Sequence, residues 1–292
     1  MSVFGSPAED RHLDPPFFRA YTSVPMASDA HAHPHDLSGR DAEAETLRRS
    51  LGVVCAASAW NEKEFLYQEG LSSAALADGS PMMVPCFGVH PQLAAESPSS
   101  CAVSLAFLRS LVAGKRIGAV GEIGVDLYGE RYRSVRSEQA RLFDEQLELA
   151  LEGNLPAVLH LRRATDQAFA RKRILARLPA VVFHSFSGTL AEAHSLLDRG
   201  IQAYFSFGAP IALNHKKAIA SCAGVPLDRL LVETDAPYQP FTGPNYHTGR
   251  DYSDWSDLRL VLAEVARLRS VDVSEIERAT DANFRKAYGI VD

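Results

Sequence analysis

Apolar residues along this chain come in short, β-branched runs, and the same rhythm recurs eight times: "SVPMASD", "GVVCAAS", "MMVPCFG", "IGAVGEI", "LPAVLHL", "AVVFHSF", "IQAYFSF" and "RLLVETD". Each is followed by polar, Gly or Pro residues, as strands are. Between them lie amphipathic stretches such as "RSEQARLFDEQLELALEGN", where Leu142, Phe143, Gln146, Leu149 and Ala150 recur at helical spacing with one polar member. Eight strands alternating with helices predict an α/β fold, a single (β/α)8 TIM-type barrel. The runs show no in/out alternation, which fits a sheet buried on both faces. An open doubly wound sheet would have fewer strands and a Gly-rich phosphate turn, and neither G-x-G-x-x-G nor a P-loop occurs. Residues 1–22, rich in Pro and Phe, read as an extension packed on a barrel domain of residues 23–292. The last helical stretches, about 254–287, would complete the outer ring.

Composition narrows the classes. A chain of 292 residues with 46% apolar content can bury a large core, and repeating α/β barrels need this length. No apolar run approaches the roughly 20 residues of a membrane span. The N-terminal stretch lacks the basic end and apolar core of a signal peptide, so a cytoplasmic protein is expected, with no membrane and no stable protein partner. Cys55, Cys86, Cys101 and Cys222 are widely spaced with no C-x-x-C pair, and read as reduced core residues. The net charge of −6 gives no footprint for wrapping duplex nucleic acid. Tyr128 to Arg177 nonetheless holds ten Lys or Arg against seven Asp or Glu, which reads first as solvated helix faces of mixed charge.

The histidines break this blandness. "SDAHAHPHD", Ser28 to Asp36, packs three of the chain's ten histidines into one segment. His31 and His33, spaced i and i+2 after the first apolar run, share a face about 7 Å apart in an extended chain. The fourth run ends with Glu122, the fifth with His160, the sixth with His184 and the eighth with Asp235. Five of eight strand ends thus carry a metal-capable residue, on the rim where barrel active sites are built. Four imidazoles and two carboxylates without thiolate suit zinc, manganese or magnesium, not a structural zinc cage. Six ligands exceed what one tetrahedral ion uses. Two divalent metal ions with Glu122 bridging account for the count, and such a site would favour an anionic substrate.

At these residues the chain resembles the TatD-type metal-dependent deoxyribonucleases, a branch of the amidohydrolase-like barrels. The resemblance runs from about Ser28 to Tyr288 through "DAHAH", "GVHP", "GEIGVD", "QLELALEGNLPAVLHLRRA", "HSFSG" and "LLVETDAPY", in that order. It implies that His31, His33, Glu122 and Asp235 hold one ion, that Glu122, His160 and His184 hold the other, and that Asp235 takes the proton of the attacking water. Related amidohydrolases carry a carboxylated lysine on the fourth strand; Glu122 stands there instead. Two segments depart from the family pattern. "HLRRA" replaces the "HSRDA" type, with Leu161 and Arg163 at the changed places. "HTGRDYSDWSD" puts Ser253, Asp254 and Trp255 roughly where Asn-Glu-Pro would fall.

Around the metal residues, Arg162 shares the rim with His160 and can bind a phosphate oxygen. His90 is placed either on the scissile phosphate or as a turn cap. Asp29 faces the side of His31 and could orient a ligand, whereas His35 reads as a solvated loop residue. Tyr128, Tyr238 and Trp255 are able to stack on a base, or to pack on the rim. The expected activity is a phosphodiesterase acting on DNA or a small phosphodiester, on single-stranded or terminal DNA because an acidic chain holds few phosphates. The altered segments keep a second class open, a small-molecule esterase, lactonase or amidase. The complete six-ligand set argues against a silent binding protein.

Overall fold

The computed structural model of the chain describes residues 27–242 and 248–290. The N-terminal extension expected over residues 1–22 lies outside them. Eight strands follow one another in space as in sequence: β1 (Ser28–Ala32), β2 (Val54–Ala59), β3 (Met83–Phe87), β4 (Ala119–Asp126), β5 (Ala157–Arg162), β6 (Val181–Phe183), β7 (Ala203–Phe207) and β8 (Leu230–Val232). All seven neighbouring pairs are parallel. The ring closes just past β8, where Asp235 N–H donates to the His31 carbonyl (3.0 Å) and His33 N–H to the Ala236 carbonyl (2.7 Å). The expected (β/α)8 barrel is therefore the observed one. Among the described residues no helix is long and apolar enough to cross a membrane.

The helices pack outside the strands: α1 (Ala44–Leu51), α2 (Glu62–Asp78), α3 (Pro98–Ala113), α4 (Arg136–Glu152), α5 (Leu190–Leu197), α6 (Lys216–Gly224), α7 (Leu258–Arg269) and α8 (Val273–Ala287). Between β5 and β6 stand only the short turns Asp166–Ala170 and Lys172–Leu175. Local chemistry sets several ends. Asn61 caps α2 by accepting from Glu64 N–H, and Thr189 with Glu192 forms a capping box on α5. The periodic stretch read as a helix is α4, and its polar members have a purpose. Gln146 exchanges hydrogen bonds with the Val89 backbone, and Gln139 with that of Asp126. A side-chain amide matches a peptide group donor for acceptor, so α4 fixes the loops that follow β3 and β4.

Small and branched residues, including Ala30, Val54, Ala56, Val84, Val158 and Val182, form an inner cluster with Phe284, Ala287 and Tyr288. The Tyr288 hydroxyl donates to the Ala30 carbonyl at 2.7 Å. Thus α7 and most of α8 join the outer layer as expected, while the end of α8 turns inward and seals the floor of the barrel. All four cysteines are buried and free.

The first strand departs from its expected bounds. β1 is the polar "SDAHA", so His31 lies within it and His33 directly after it; residues 23–26 of the apolar run lie outside the described residues. A hydropathy pattern misses this strand because its buried side chains include Asp29 and His31.

β4 carries the decisive irregularity. Gly121 pairs with Val158 and Ile123 with Leu159, leaving Glu122 as the extra residue of a bulge that re-aims its side chain. Gly124, two residues on, has φ 145°, and a Cβ there would sit 2.1 Å from the His160 carbonyl oxygen. Only glycine lets the bulged strand pass β5 so closely. Gly124→Ala is expected to lower the unfolding free energy by about 1–3 kcal/mol, the range of overpacked cores, as read from urea denaturation; an unchanged midpoint would remove the constraint.

Candidate metal centre

The C-terminal ends of the strands surround a cleft of about 860 Å³. At its base His31 Nε2, His33 Nε2, one Glu122 oxygen and one Asp235 oxygen converge. His31 and His33 Nε2 are 3.2 Å apart, His31 lies 3.3 Å from Glu122 Oε2 and 3.6 Å from Asp235 Oδ1, and His33 lies 3.7 and 3.5 Å from the same two atoms. The other Glu122 oxygen, Oε1, meets a second set: His160 Nδ1, His184 Nε2 at 2.9 Å and His90 Nε2 at 3.5 Å. All six residues expected at the metal site are thus brought together, with His90 beside them. The side chains of His31 and His33 tilt inward from an extended strand's spacing so that their nitrogens meet.

The first set fits a divalent cation. Ligands at about 2.0–2.2 Å from a tetrahedral ion stand about 3.3–3.6 Å from one another, and the observed separations span 3.2–3.7 Å. The ring nitrogens not facing the centre have partners that orient them. His31 Nδ1 meets Ser58 Oγ (3.3 Å), His160 Nε2 meets Asp126 Oδ2 (3.3 Å), and His184 Nδ1 meets Glu233 Oε1 (3.2 Å). An acceptor on one nitrogen keeps the proton there and leaves the other lone pair free for a metal. His90 is arranged oppositely. Its Nδ1 accepts from Gln92 N–H at 3.3 Å, so the neutral ring carries its proton on Nε2 and is a donor.

Charge in this pocket is tightly balanced. Burial opposes ionisation of Glu122, but His184, His90, His160 and His31 outweigh it and hold the carboxyl well below its usual range. Asp235 is also lowered: burial is overcome by its hydrogen bond with His33 and by the nearby imidazoles of His184 and His31. His184 is raised well above an ordinary imidazole, against burial, by Glu122 and Glu233. His160 is raised, again against burial, by Glu122 and Asp126. Burial lowers His31, helped by His184, and burial lowers His90.

Several outer residues differ from expectation. Asp29 does not orient an imidazole; its carboxylate accepts from the His31 backbone N–H and from the Thr234 N–H and hydroxyl, across the closing seam. Burial pushes its pKa up to about 7. Trp255 is 1% exposed, so it is a core residue and no base platform. Its neighbour Asp254 caps the turn Trp255–Asp257 and pairs with Arg250. His35 lies in the short helix Pro34–Ser38, half-buried against the Tyr67 ring, rather than in a solvated loop. With Asp36 and Glu64 it forms another His/carboxylate group. Both acids there are already engaged, Asp36 by the Tyr238 hydroxyl and Glu64 by Trp60 N–H and the Asn61 amide. Arg162 lines the cleft as expected. Half of the ten basic residues around it are paired: Arg131, Arg133, Arg136, Arg141 and Arg171 each meet a carboxylate.

Sequence reading overlooked the outer partners Asp126, Glu233 and Gln239. The signal was present for two: Asp126 closes "GEIGVD", and Glu233 stands two residues before Asp235. Gln239 donates to Asp235 Oδ2 (2.7 Å) and Ser185 Oγ (3.0 Å) from a loop, where no periodicity marks it.

A parallel eight-stranded barrel with imidazoles and carboxylates gathered on its C-terminal rim is the architecture of a metal-dependent hydrolase. Within that class, this chain belongs to the TatD related DNase family, whose model matches residues 28–289. It is 34% identical over 208 residues to the 3'-5' ssDNA/RNA exonuclease TatD of Pantoea ananatis, covering 70% of this chain and 77% of that protein. It is 30% identical over 191 residues to the uncharacterized metal-dependent hydrolase YabD of Bacillus subtilis, 64% of this chain and 71% of the relative. Among solved structures it is similar to the TatD homologue YjjV of Escherichia coli K12, with a TM-score of 0.75 and 29% identity over 91% of this chain and 98% of that one.

Two outcomes are expected from the imidazole partners. Glu233→Gln should weaken zinc binding about 10–100-fold in chelator competition, as loss of an orienting carboxylate does; unchanged affinity would exclude that role. Folding favours the protonated forms of His160 and His184, a contribution that is full below the ordinary imidazole value near 6.5 and fades as pH rises through their raised values. Zinc must displace these protons. Loading the stripped protein near neutrality should therefore release protons, and affinity should be lower at pH 6 than at pH 8. Glu122 and Asp235, being lowered, stay ionised across that window. Loading without proton release would contradict the assignment.

Proposed function

We propose that the protein is an exonuclease that hydrolyses phosphodiester bonds at an end of single-stranded DNA or RNA, using two divalent ions. The observation that carries this reading is the position of Glu122, whose two carboxylate oxygens each face a separate set of imidazoles. His31, His33, Glu122 and Asp235 would hold one ion, and Glu122, His160 and His184 would hold the other. Zinc, manganese or magnesium bound there supplies Lewis acidity, neutralising phosphoryl oxygen charge and making a water acidic enough to attack.

The protein groups do the rest. Asp235 takes the proton of the attacking water. Its Oδ2 is held by Gln239 while Oδ1 faces His31 and His33, so the carboxylate is oriented before substrate arrives. His90, with its proton on Nε2 beside Glu122, donates to a phosphoryl oxygen. Arg162, on the cleft wall two residues beyond His160, presents a guanidinium to the same phosphate. The substrate class follows from charge and shape. The chain is acidic overall, and Arg133, Arg141 and Arg171 are already paired with carboxylates, so few phosphates can be gripped at once. The relative from Pantoea ananatis, named for 3'-5' action on ssDNA and RNA, supports the same direction here.

Cleavage of end-labelled single-stranded DNA is expected to stop with EDTA and to return with manganese, magnesium or zinc. Asp235→Asn should lower turnover about 10²–10⁴-fold, the usual worth of a general base. Arg162→Ala should cost about ten- to a hundredfold in kcat/KM, the value of a charge-assisted hydrogen bond. Hydrolysis of nitrophenyl acetate with every phosphodiester untouched would replace this reading with a small-molecule esterase.

A further inference from the structure

The rim beside the cleft carries a second arrangement, of which the catalytic reading uses only Arg162. Tyr128, at the end of β4, is 47% exposed. The Arg162 guanidinium lies 3.8 Å from its ring centroid and that of Arg163 4.9 Å. Arg162 lines the cleft, while Tyr128 and Arg163 sit just outside it. Nearby, Arg131, Arg133, Arg136, Arg141 and Arg171 each meet a carboxylate. Among the described residues neither Arg162 nor Arg163 does. Both guanidinium groups are exposed and rest on the Tyr128 ring, which leaves their N–H edges open to an anion, and the backbone that carries them is held in place. Arg163 sits in the left-handed region at φ 56°. Leu127 N–H donates to the Arg162 carbonyl at 2.9 Å, and Tyr128 N–H to Asp126 Oδ1 at 2.7 Å. The other Asp126 oxygen meets His160, so the platform and the metal-facing imidazole share one carboxylate.

An exposed aromatic ring flanked by guanidinium groups that no carboxylate of the described residues engages matches one ligand chemistry, a nucleotide unit with a flat base and an anionic phosphate. We propose that Tyr128 and Arg163, beside Arg162, form a subsite at the edge of the metal cleft that takes the nucleotide next to the scissile bond, its base against the Tyr128–guanidinium stack and its phosphate on Arg163, while Arg162 stays on the scissile phosphate. The proposal rests on the nuclease reading above and adds substrate length to it. Because the subsite binds a neighbouring unit, the enzyme prefers strands of two or more nucleotides over isolated phosphodiesters. Base stacking carries no sequence preference, so the subsite grips unpaired bases of any identity and excludes duplex, whose bases are already stacked.

The test compares kcat/KM on a single-stranded decanucleotide with that on bis-nitrophenyl phosphate, for wild type, Tyr128→Ala, Tyr128→Phe and Arg163→Ala. Tyr128→Ala and Arg163→Ala should lower the oligonucleotide-to-ester ratio about tenfold or more, chiefly through KM, and Tyr128→Phe should keep it. A merely structural role would depress both substrates together and leave the ratio unmoved, which would overturn the proposal. A second arm measures binding of fluorescent oligonucleotides by anisotropy in EDTA, with one abasic unit placed in turn along the strand. One abasic position should weaken wild-type binding about tenfold, and that penalty should vanish in Tyr128→Ala. A flat abasic scan, or an equal penalty in the variant, would reject the subsite. This arm stands apart from catalysis: a protein that binds in this pattern but cleaves no phosphodiester would keep the subsite and refute the nuclease.

Discussion

A carboxylate taken out of water stays ionised only if positive charge or hydrogen bonds replace its hydration. Glu122 is buried, and around it stand the imidazoles of His31, His90, His160 and His184. Much of the rim is arranged to serve that one group. The bulge at Glu122 turns it inward, Gly124 lets β4 crowd β5, and Asp126 and Glu233 face the far nitrogens of His160 and His184. Removing a partner from such a pocket leaves an uncompensated charge, which costs more than the pair contributes. The same balance makes the site receptive to cations. A dication bound there would compete with protons for His160 and His184, whose protonated forms the pocket favours.

Much of this was legible in the sequence, for a physical reason. A strand of a parallel barrel is buried on both faces, so it reads as a continuous apolar run, and its end is marked by the first polar residue. That is why His184, directly after β6, could be placed on the rim from hydropathy; Glu122 and His160 instead lie inside β4 and β5, and Asp235 stands three residues beyond β8, so strand ends marked these only approximately. β1 resisted, because its buried residues include an acid and an imidazole, and hydropathy does not reward a polar group satisfied by distant partners. Asp29 shows the same limit. Its side-chain acceptor role is fulfilled by Thr234, 205 residues away, and nothing local announces that pairing.

The outer segments were harder to read, because loops have no period. Trp255 looked available for stacking, but its ring is buried once Asp254 caps the turn and Arg250 joins Asp254 and Asp257. Tyr128 looked equivalent in sequence and is exposed. What separates the two is tertiary packing, which composition does not encode. Of the ten basic residues from Tyr128 to Arg177, five are paired with carboxylates, Arg162 and Arg163 lie against an aromatic ring, and among the described residues Lys172, Arg173 and Arg177 do neither.

The seam that closes the barrel is made from residues of the site itself. Asp235 and Ala236 exchange backbone hydrogen bonds with His31 and His33, and Asp29 bonds Thr234 beside them. The first and last strands therefore meet at the chemistry, and neither half of the chain holds a complete ligand set. During synthesis the histidines of β1 emerge first and must wait for nearly the whole remaining chain before Asp235 can face them. A truncated or half-folded copy lacks the seam and the site together, so hydrolytic capacity arrives only with the finished molecule.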